Sequence, residues 1–346
     1  MSVTDLHSLA LGIASKNGSG EIIEVYYPKP LLNPSTTCAE QILAQCQDIS
    51  DNGFIETSPD AMRSLASALA DSNEAEQSEI AEALAGSAKT QVITVLRENS
   101  PPSSIPEAFL KLHLLSHRLT VPHELNLDGI FGILKNLAWT SQGPVDLDDL
   151  PKRQLQARVN GETFEVYSVD KFPKMTSYVV PTSVRIADTA RIRLGAYIGE
   201  GTTVMHEGFV NFNAGTEGAA MIEGRISAGV MVGENSDLGG GCSTMGTLSG
   251  GGTEIISVGE NCLIGANAGI GFPLADGCIV EAGLYVTAGT KVNLFDGNGE
   301  LIKTTKAREI SEVKNLLFRR NSLSGAVECV PIKNAVSLNE ELHAHN

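Results

Sequence analysis

The stretch "RIADTARIRLGAYIGEGTTVMHEGFV", Arg185 to Val210, carries an aliphatic residue at every sixth position: Ile186, Ile192, Ile198, Val204 and Val210. The same step returns at Val232 and Leu238, at Val258, Ile264 and Ile270, and at Val280, Val286 and Val292. Small or acidic residues follow, as in "IGEGTT", "VGENSD", "VGENCL" and "IGANAG". This is the hexapeptide pattern of a parallel β-helix, in which each aliphatic residue fills the interior of a triangular coil and small residues permit tight corners. Three hexapeptides make one coil of ~18 residues with strands ~4.8 Å apart, so this segment predicts about five or six coils.

Two steps are irregular. Leu238 to Val258 is longer than three hexapeptides, and Ile270 to Val280 is longer than one. The expectation is that "MGTLSGGGTE" and "GFPLADG" leave the coil as loops at its corners. The glycine triplet in the first, Gly250 to Gly252, is not a phosphate-binding loop, because no Gly-Lys-Ser/Thr and no helix follow it.

Outward from the repeat the composition changes. Of the 35 glycines, 25 lie between Gly195 and Gly299, which marks that segment as a separate architecture. The chain is expected to be mostly β: an α+β region over 1–180, with a possible break near 100–106, a left-handed parallel β-helix over 181–295, and a basic segment and tail over 296–346. In the first region, "TSPDAMRSLASALADSNEAEQSEIAEALAG" predicts helices capped at Ser58 or Asp60 and at Ser72, followed by a strand near Gln91–Leu96. "PEAFLKLHLLSHRL" and "LNLDGIFGILKNLAW" have helical spacing, and "QARVNGETFEVYSV" reads as a hairpin turning at Asn160-Gly161.

A formal net charge of −16 argues against nucleic acid or an anionic membrane as partner. The N-terminus has no cationic signal region and no run of ~18 apolar residues occurs, which predicts a cytoplasmic protein. The six cysteines form no CxxC pair and read as buried or neutral thiols. Against the overall charge, Leu301 to Ser322 carries Lys303, Lys306, Arg308, Lys314, Arg319 and Arg320 with only Glu309 and Glu312, a patch that a phosphorylated ligand would need.

Zinc chemistry on this architecture needs three histidines, and His206 is the only one between Ile186 and Val292. An acyl transfer to an amine needs a proton acceptor and stabilisation of the oxyanion. His206 in "VMHEGF" and Glu223 in "MIEGRISAG" are both candidates for the proton work, and Arg225, two residues from Glu223, shares a face with it on an extended backbone.

The runs "GTTVMHEGFVNFNAG", "MIEGRISAGVMVGENSDLGGGCSTMGTLSGGGTEIISVGENCLIGAN", "VEAGLYVTAGTKV" and "FRRNS" resemble the tetrahydrodipicolinate N-succinyltransferases of the long-chain, actinobacterial-like type over about 140 residues, Arg185 to Ser324. The resemblance implies a homotrimer that transfers succinyl from succinyl-CoA to the amine of tetrahydrodipicolinate on the route to diaminopimelate and lysine. It implies a catalytic Glu223, as an acyl-anhydride intermediate or as a general base. It places succinyl-CoA contacts on Arg225, Gly240, Ser243, Ala266, Glu281, Ala282, Gly289, Lys306, Arg319, Arg320, Asn321 and Ser322. It also implies a magnesium ion on the threefold axis with Glu207 as a ligand, although the second ligand position holds Ala190 instead of an acid. Two other readings stay open: an acetyl-CoA-dependent acyltransferase of the same architecture, and a non-catalytic β-helix that binds acyl-CoA or sugar nucleotides.

Overall fold

The computed structural model describes residues 6–46, 49–246 and 255–332. The chain divides into two compact units: one takes residues up to 120, 124–173 and 177–179, the other 121–123, 174–176 and the chain from 180 onward.

In the first unit an antiparallel sheet runs in the order Ile22–Tyr26, Ser8–Lys16, Thr90–Leu96, Gly53–Thr57. Leu9, Leu11, Ile93 and Val95 bury one face of it in a core shared with Ile42, Met62, Leu65 and Leu69 of the helices Thr36–Leu43 and Pro59–Asp71. The strand expected near Gln91 is present, and Ser58 caps its helix by accepting the Ala61 N–H at 3.1 Å. Ser72 does not cap the next helix. It is the C-cap of Pro59–Asp71, and the following helix, Ala75–Ala85, begins after Glu74.

Two further expectations in this unit are corrected. Asn160-Gly161 is not a hairpin turn: Leu150–Asn160 is a helix, and Gly161, at φ 70°, ends it while the Glu162 N–H reaches back to Ala157 O at 2.8 Å. Asn-Gly satisfies a left-handed helix stop as readily as a hairpin, and the helix formers before it decide between them. The helical spacing of "LNLDGIFGILKNLAW" yields only the short helix Ile130–Ile133. Its end becomes the strand Leu137–Thr140, central in a small sheet with Gly143–Asp146 and Val166–Asp170.

The second unit is a parallel coil. A first face stacks Arg185–Ile186, Thr203–Val204, Ala220–Ile222, Ser236–Leu238, Leu263–Ile264 and Ile279–Val280. A second stacks Phe209–Val210, Arg225–Ile226, Ser243–Thr244, Gly269–Gly271 and Tyr285–Thr287, and a third Ala196–Ile198, Ala214–Thr216, Met231–Val232 and Ser257–Val258. The chain visits the three faces in turn. Of the thirteen aliphatic positions read from the sequence, twelve are buried at 2% exposure or less, and only Ile186, on the first coil, is partly open. Thr216 and Thr244 also point inward, and their hydroxyls are hydrogen-bonded: Thr216 receives Gly199 N at 3.0 Å, and Thr244 receives Ser227 N at 3.1 Å. Because hydroxyl residues occupy these rungs, aliphatic spacing alone passes over them.

The register corrects the second irregular step. Val258 lies over Leu274, Ile264 over Val280 and Ile270 over Val286, each pair closer in sequence than three full hexapeptides, so "GFPLADG" shortens a coil and extrudes nothing. Leu274 is itself a buried rung. The first irregular step is a true insertion, as the sequence predicts: Val232 pairs with Val258 and Thr244 with Ile270, both more than four hexapeptides apart, and the excess falls between Thr244 and Val258, the span that holds "MGTLSGGGTE". The glycine triplet of "STMGTLSGGGTE" lies outside the described residues. Beyond the last coil, Lys291–Phe295 and Leu301–Lys306 form an antiparallel pair, and Leu316–Arg320 extends the first face by pairing in parallel with Ile279–Val280. Among the described residues no helix is long and apolar enough to cross a membrane.

Candidate active site

Where the chain turns from the first face to the second, the coils stack through backbone bonds: Met205 N to Ile222 O (2.9 Å), Glu223 N to Leu238 O (2.8 Å), Gly239 N to Ile264 O (2.8 Å), Gly265 N to Val280 O (2.8 Å) and Glu281 N to Phe318 O (2.9 Å). His206, Glu207, Glu223, Gly240, Ala266, Glu281 and Ala282 therefore lie along one edge of the coil. Residues from separate sequence segments come together there.

Glu223 is half-buried and follows the strand Ala220–Ile222, and Gly224 carries the chain on to Arg225 in the next face. Gly224 has a packing reason. A Cβ there would stand 2.3 Å from Cys242 Sγ and 2.7 Å from Cys242 O, so only glycine lets this corner rest on the coil below. The Arg225 guanidinium donates to Ser243 Oγ at 2.6 Å, directly across the pair Arg225 and Ser243 in register. Ser243 is buried, which fixes the arginine head without cancelling its charge.

Gly240 opens a notch beside Glu223. A Cβ at Gly240 would lie 3.4 Å from Glu223 Oε2 and 3.7 Å from Glu207 Oε2 and would meet nothing else within 4 Å. Two carboxylates thus border an empty space. His206 is exposed on the same edge, next to Glu207.

Sequence reasoning did not single out Cys242, which lies beneath this corner. Burial pushes its thiol up to about 12, with the Arg225 guanidinium pulling the other way and the Glu223 carboxylate adding to the rise. A thiol so protonated is no nucleophile near neutral pH. All six cysteines are free and buried.

The cationic segment lies on the same side of the fold as the last coils of this edge. Glu281 Oε2 accepts Arg320 N at 2.7 Å, joining Arg319 to Ser322 to the end of the edge. Arg319 is paired with Glu328 at 2.9 Å, and Asn321 Nδ2 donates to Glu328 Oε1 at 2.7 Å, while the Arg320 side chain donates to Gly325 O at 3.1 Å. Gly289 is exposed, and its neighbours Ala288 O and Thr290 O accept Arg308 N and Ala307 N, which sets Lys306 beside it. Lys314 stands apart, engaged with Asp276 at 2.6 Å.

The donor set within one chain does not fit a magnesium ion. Among the described residues no group of three or more His, Cys, Asp or Glu side chains converges, Ala190 offers no side-chain oxygen, and Asp188 Oδ1 already accepts Ala190 N at 3.0 Å.

A family model for the middle domain of tetrahydrodipicolinate N-succinyltransferase matches residues 134–174, and one for the hexapeptide repeat of succinyl-transferase matches 255–288. Curated proteins named 2,3,4,5-tetrahydropyridine-2,6-dicarboxylate N-succinyltransferase are similar over the full length. One from Pseudomonas putida is 62% identical with 99% of each chain covered, and one from Vibrio cholerae is 52% identical with 98% of this chain and 99% of the relative covered. A solved structure from Campylobacter jejuni, with the working name 2,3,4,5-tetrahydropyridine-2-carboxylate N-succinyltransferase, superposes with a TM-score of 0.87 at 30% identity, covering 96% of this chain and 94% of that one.

Proposed function

The chain belongs to the tetrahydrodipicolinate N-succinyltransferase family, and from that membership we infer how its own residues perform the transfer. It is an acyltransferase that moves the succinyl group of succinyl-CoA to the amine of tetrahydrodipicolinate, a step in diaminopimelate and lysine biosynthesis. The observation that carries the residue assignment is the pairing at one corner of Glu223, open to the notch at Gly240, with Arg225, tethered to Ser243 at 2.6 Å.

In this reading Glu223 takes a proton from the acceptor ammonium, and the freed amine attacks the thioester carbonyl. The tetrahedral adduct collapses as the remaining extra proton on its nitrogen passes to the departing CoA sulfur, so that the amide and CoA thiol form, and the proton held by Glu223 is returned to solvent. Arg225 pairs with a carboxylate, that of the succinyl group being the one an acetyl donor lacks. Gly240, Ser243, Ala266, Glu281 and Ala282 line the donor's path along the edge, where small side chains leave room for it. Lys306, Gly289 and the run Arg319 to Ser322 receive the phosphates. The enzyme acts as a homotrimer of left-handed, triangular coils in the cytoplasm, with each donor groove lying between two coils.

Steady-state thiol release with succinyl-CoA and with acetyl-CoA against tetrahydrodipicolinate tests this reading in the wild type and in Arg225→Ala. The wild type is expected to prefer succinyl-CoA, and the variant to lose that preference. An equal preference in both would remove Arg225 from the acyl pocket. Intact-mass analysis during turnover decides between direct attack, which leaves the protein mass unchanged, and an acyl-glutamate, which adds a succinyl group.

A further inference from the structure

The second face of the coil carries, in strict register on four neighbouring strands, Arg225, Ser243, Gly269 and Tyr285. Their inward-pointing neighbours Ile226, Thr244, Ile270 and Val286 are buried, so these four positions face outward. Gly269 has no side chain, and the Tyr285 ring occupies the space above it. Three ring atoms would lie 2.2, 2.5 and 2.6 Å from a Cβ at Gly269. Such proximity of several ring atoms means that the ring lies face down on the glycine backbone. Its other face is open, and Tyr285 is 43% exposed.

Two residues along the same strands the arrangement repeats. A Cβ on Gly271 would stand 2.5 Å from Met245 Sδ, so the Met245 thioether covers that glycine. Two glycines in one strand, one roofed by an aromatic ring and the other by a thioether, make a smooth apolar floor on a face that otherwise carries polar groups. The floor has a polar marker at each end. Toward one end are Ser243 and the Arg225 guanidinium bonded to it. Toward the other, Ala288 N donates to Gly271 O at 3.2 Å, and Gly289 and Lys306 follow.

The geometry points to Tyr285 and Met245 as the floor beneath the pantetheine arm of the acyl donor. This inference rests on the donor site proposed above, since it joins the acyl end at Arg225 to the phosphate end at Lys306. Two strand spacings separate Ser243 from Tyr285, about 10 Å, a span that a linear arm with a branched apolar segment fills better than a charged group would. An open aromatic face and a polarisable thioether are the surfaces such an arm packs on. The ring, not its hydroxyl, does this work.

Kinetics with two donors tests it: succinyl-CoA, and the succinyl thioester of N-acetylcysteamine, which lacks the pantoyl segment and the nucleotide. Tyr285→Ala is expected to raise KM for succinyl-CoA about tenfold with kcat and the acceptor KM near wild type. Tyr285→Phe should behave as wild type, and both proteins should use the short thioester equally well. An unchanged KM in Tyr285→Ala, the same loss in Tyr285→Phe, or an equal loss with the short thioester overturns the inference. Arg225→Ala separates this from the underlying site: it should impair both donors, and if it impairs neither, the site assignment fails independently of Tyr285. If Tyr285→Ala does not fold, Met245→Ala carries the same test, with a KM rise of about threefold expected for succinyl-CoA alone.

Discussion

Two edges of one coil, built from the same hexapeptides, differ in what surrounds their carboxylates. Where the first face turns into the second, small residues, Gly224, Gly240, Ala266 and Ala282, stand beside the carboxylates of Glu207, Glu223 and Glu281, with Arg225 and the run from Arg319 nearby. Where the third face turns into the first, nearly every coil contributes a carboxylate: Glu217, Glu234, Glu260 and Asp276. These pack closely. Gly218 meets the Glu234 side chain, and Asp276 Oδ1 accepts Glu260 N at 3.0 Å. Partial burial, followed by the charges of Glu260, Asp276 and Glu234, holds the Glu217 carboxyl above its usual range. In the proposed site Arg225 and the run from Arg319 set cations beside the carboxylates of the first edge, as an anionic donor would require, whereas on the other edge the carboxylates crowd one another. Repetition supplies the backbone, and the exterior residues at each turn decide what each edge does.

The contrast breaks most visibly at Glu223. Glu223→Gln is expected to lower kcat about a thousandfold, as for loss of a general base, while size-exclusion chromatography shows the assembly unchanged. His206→Ala on the same edge should stay within about threefold of wild type in the thiol-release assay. A severe loss at His206 with a mild one at Glu223 would reverse the assignment.

Next in size is Arg225→Ala. Loss of a hydrogen-bonded charge of about 1.5–3 kcal/mol should lower kcat/KM for succinyl-CoA about 10- to 100-fold. The same measurement with acetyl-CoA should show a much smaller change, which sharpens the view that this edge reads a carboxylate.

Gly224→Ala acts on packing. With Cys242 Sγ only 2.3 Å from the new Cβ, the corner must shift, at a cost of about 1–3 kcal/mol seen as a lower melting temperature. Gly289→Ala, where nothing lies within 4 Å, should leave the melting temperature unchanged.

The smallest effect lies on the acidic edge. A carboxyl held above its free value of 4.5 is disfavoured when ionised, so its cost to stability is absent below about 4.5 and complete only above the raised value. Glu217→Gln should therefore melt slightly higher than wild type at pH 8, and the difference should vanish as the pH falls below 4.5. Turnover should not change. A gain that grows toward acid would show that Glu217 is stabilised as an anion, contrary to its surroundings.

The sequence by itself determined the coil and its interior, because a buried position tolerates few side chains and so leaves a period of six that can be read directly. Ile192, Ile198, Val204 and the other buried rungs needed no coordinates. The basic run from Lys303 to Arg320, the Glu223 and Arg225 pair, and the family resemblance were equally visible. The N-terminal helices were legible wherever periodicity ran long, as at Ile105–Ser116, and failed where short-range signals were ambiguous, as at Asn160-Gly161. Only the tertiary structure decided the register. Thr216, Thr244 and Leu274 are rungs, and hydroxyl groups and a shortened turn conceal them from a count of aliphatic spacing. Register in turn brings Glu223, Gly240 and Ser243, and then Gly269 and Tyr285, next to one another across coils of unequal length. That proximity depends on how many residues each turn consumes, a quantity set by backbone hydrogen bonding between coils and not by any local pattern.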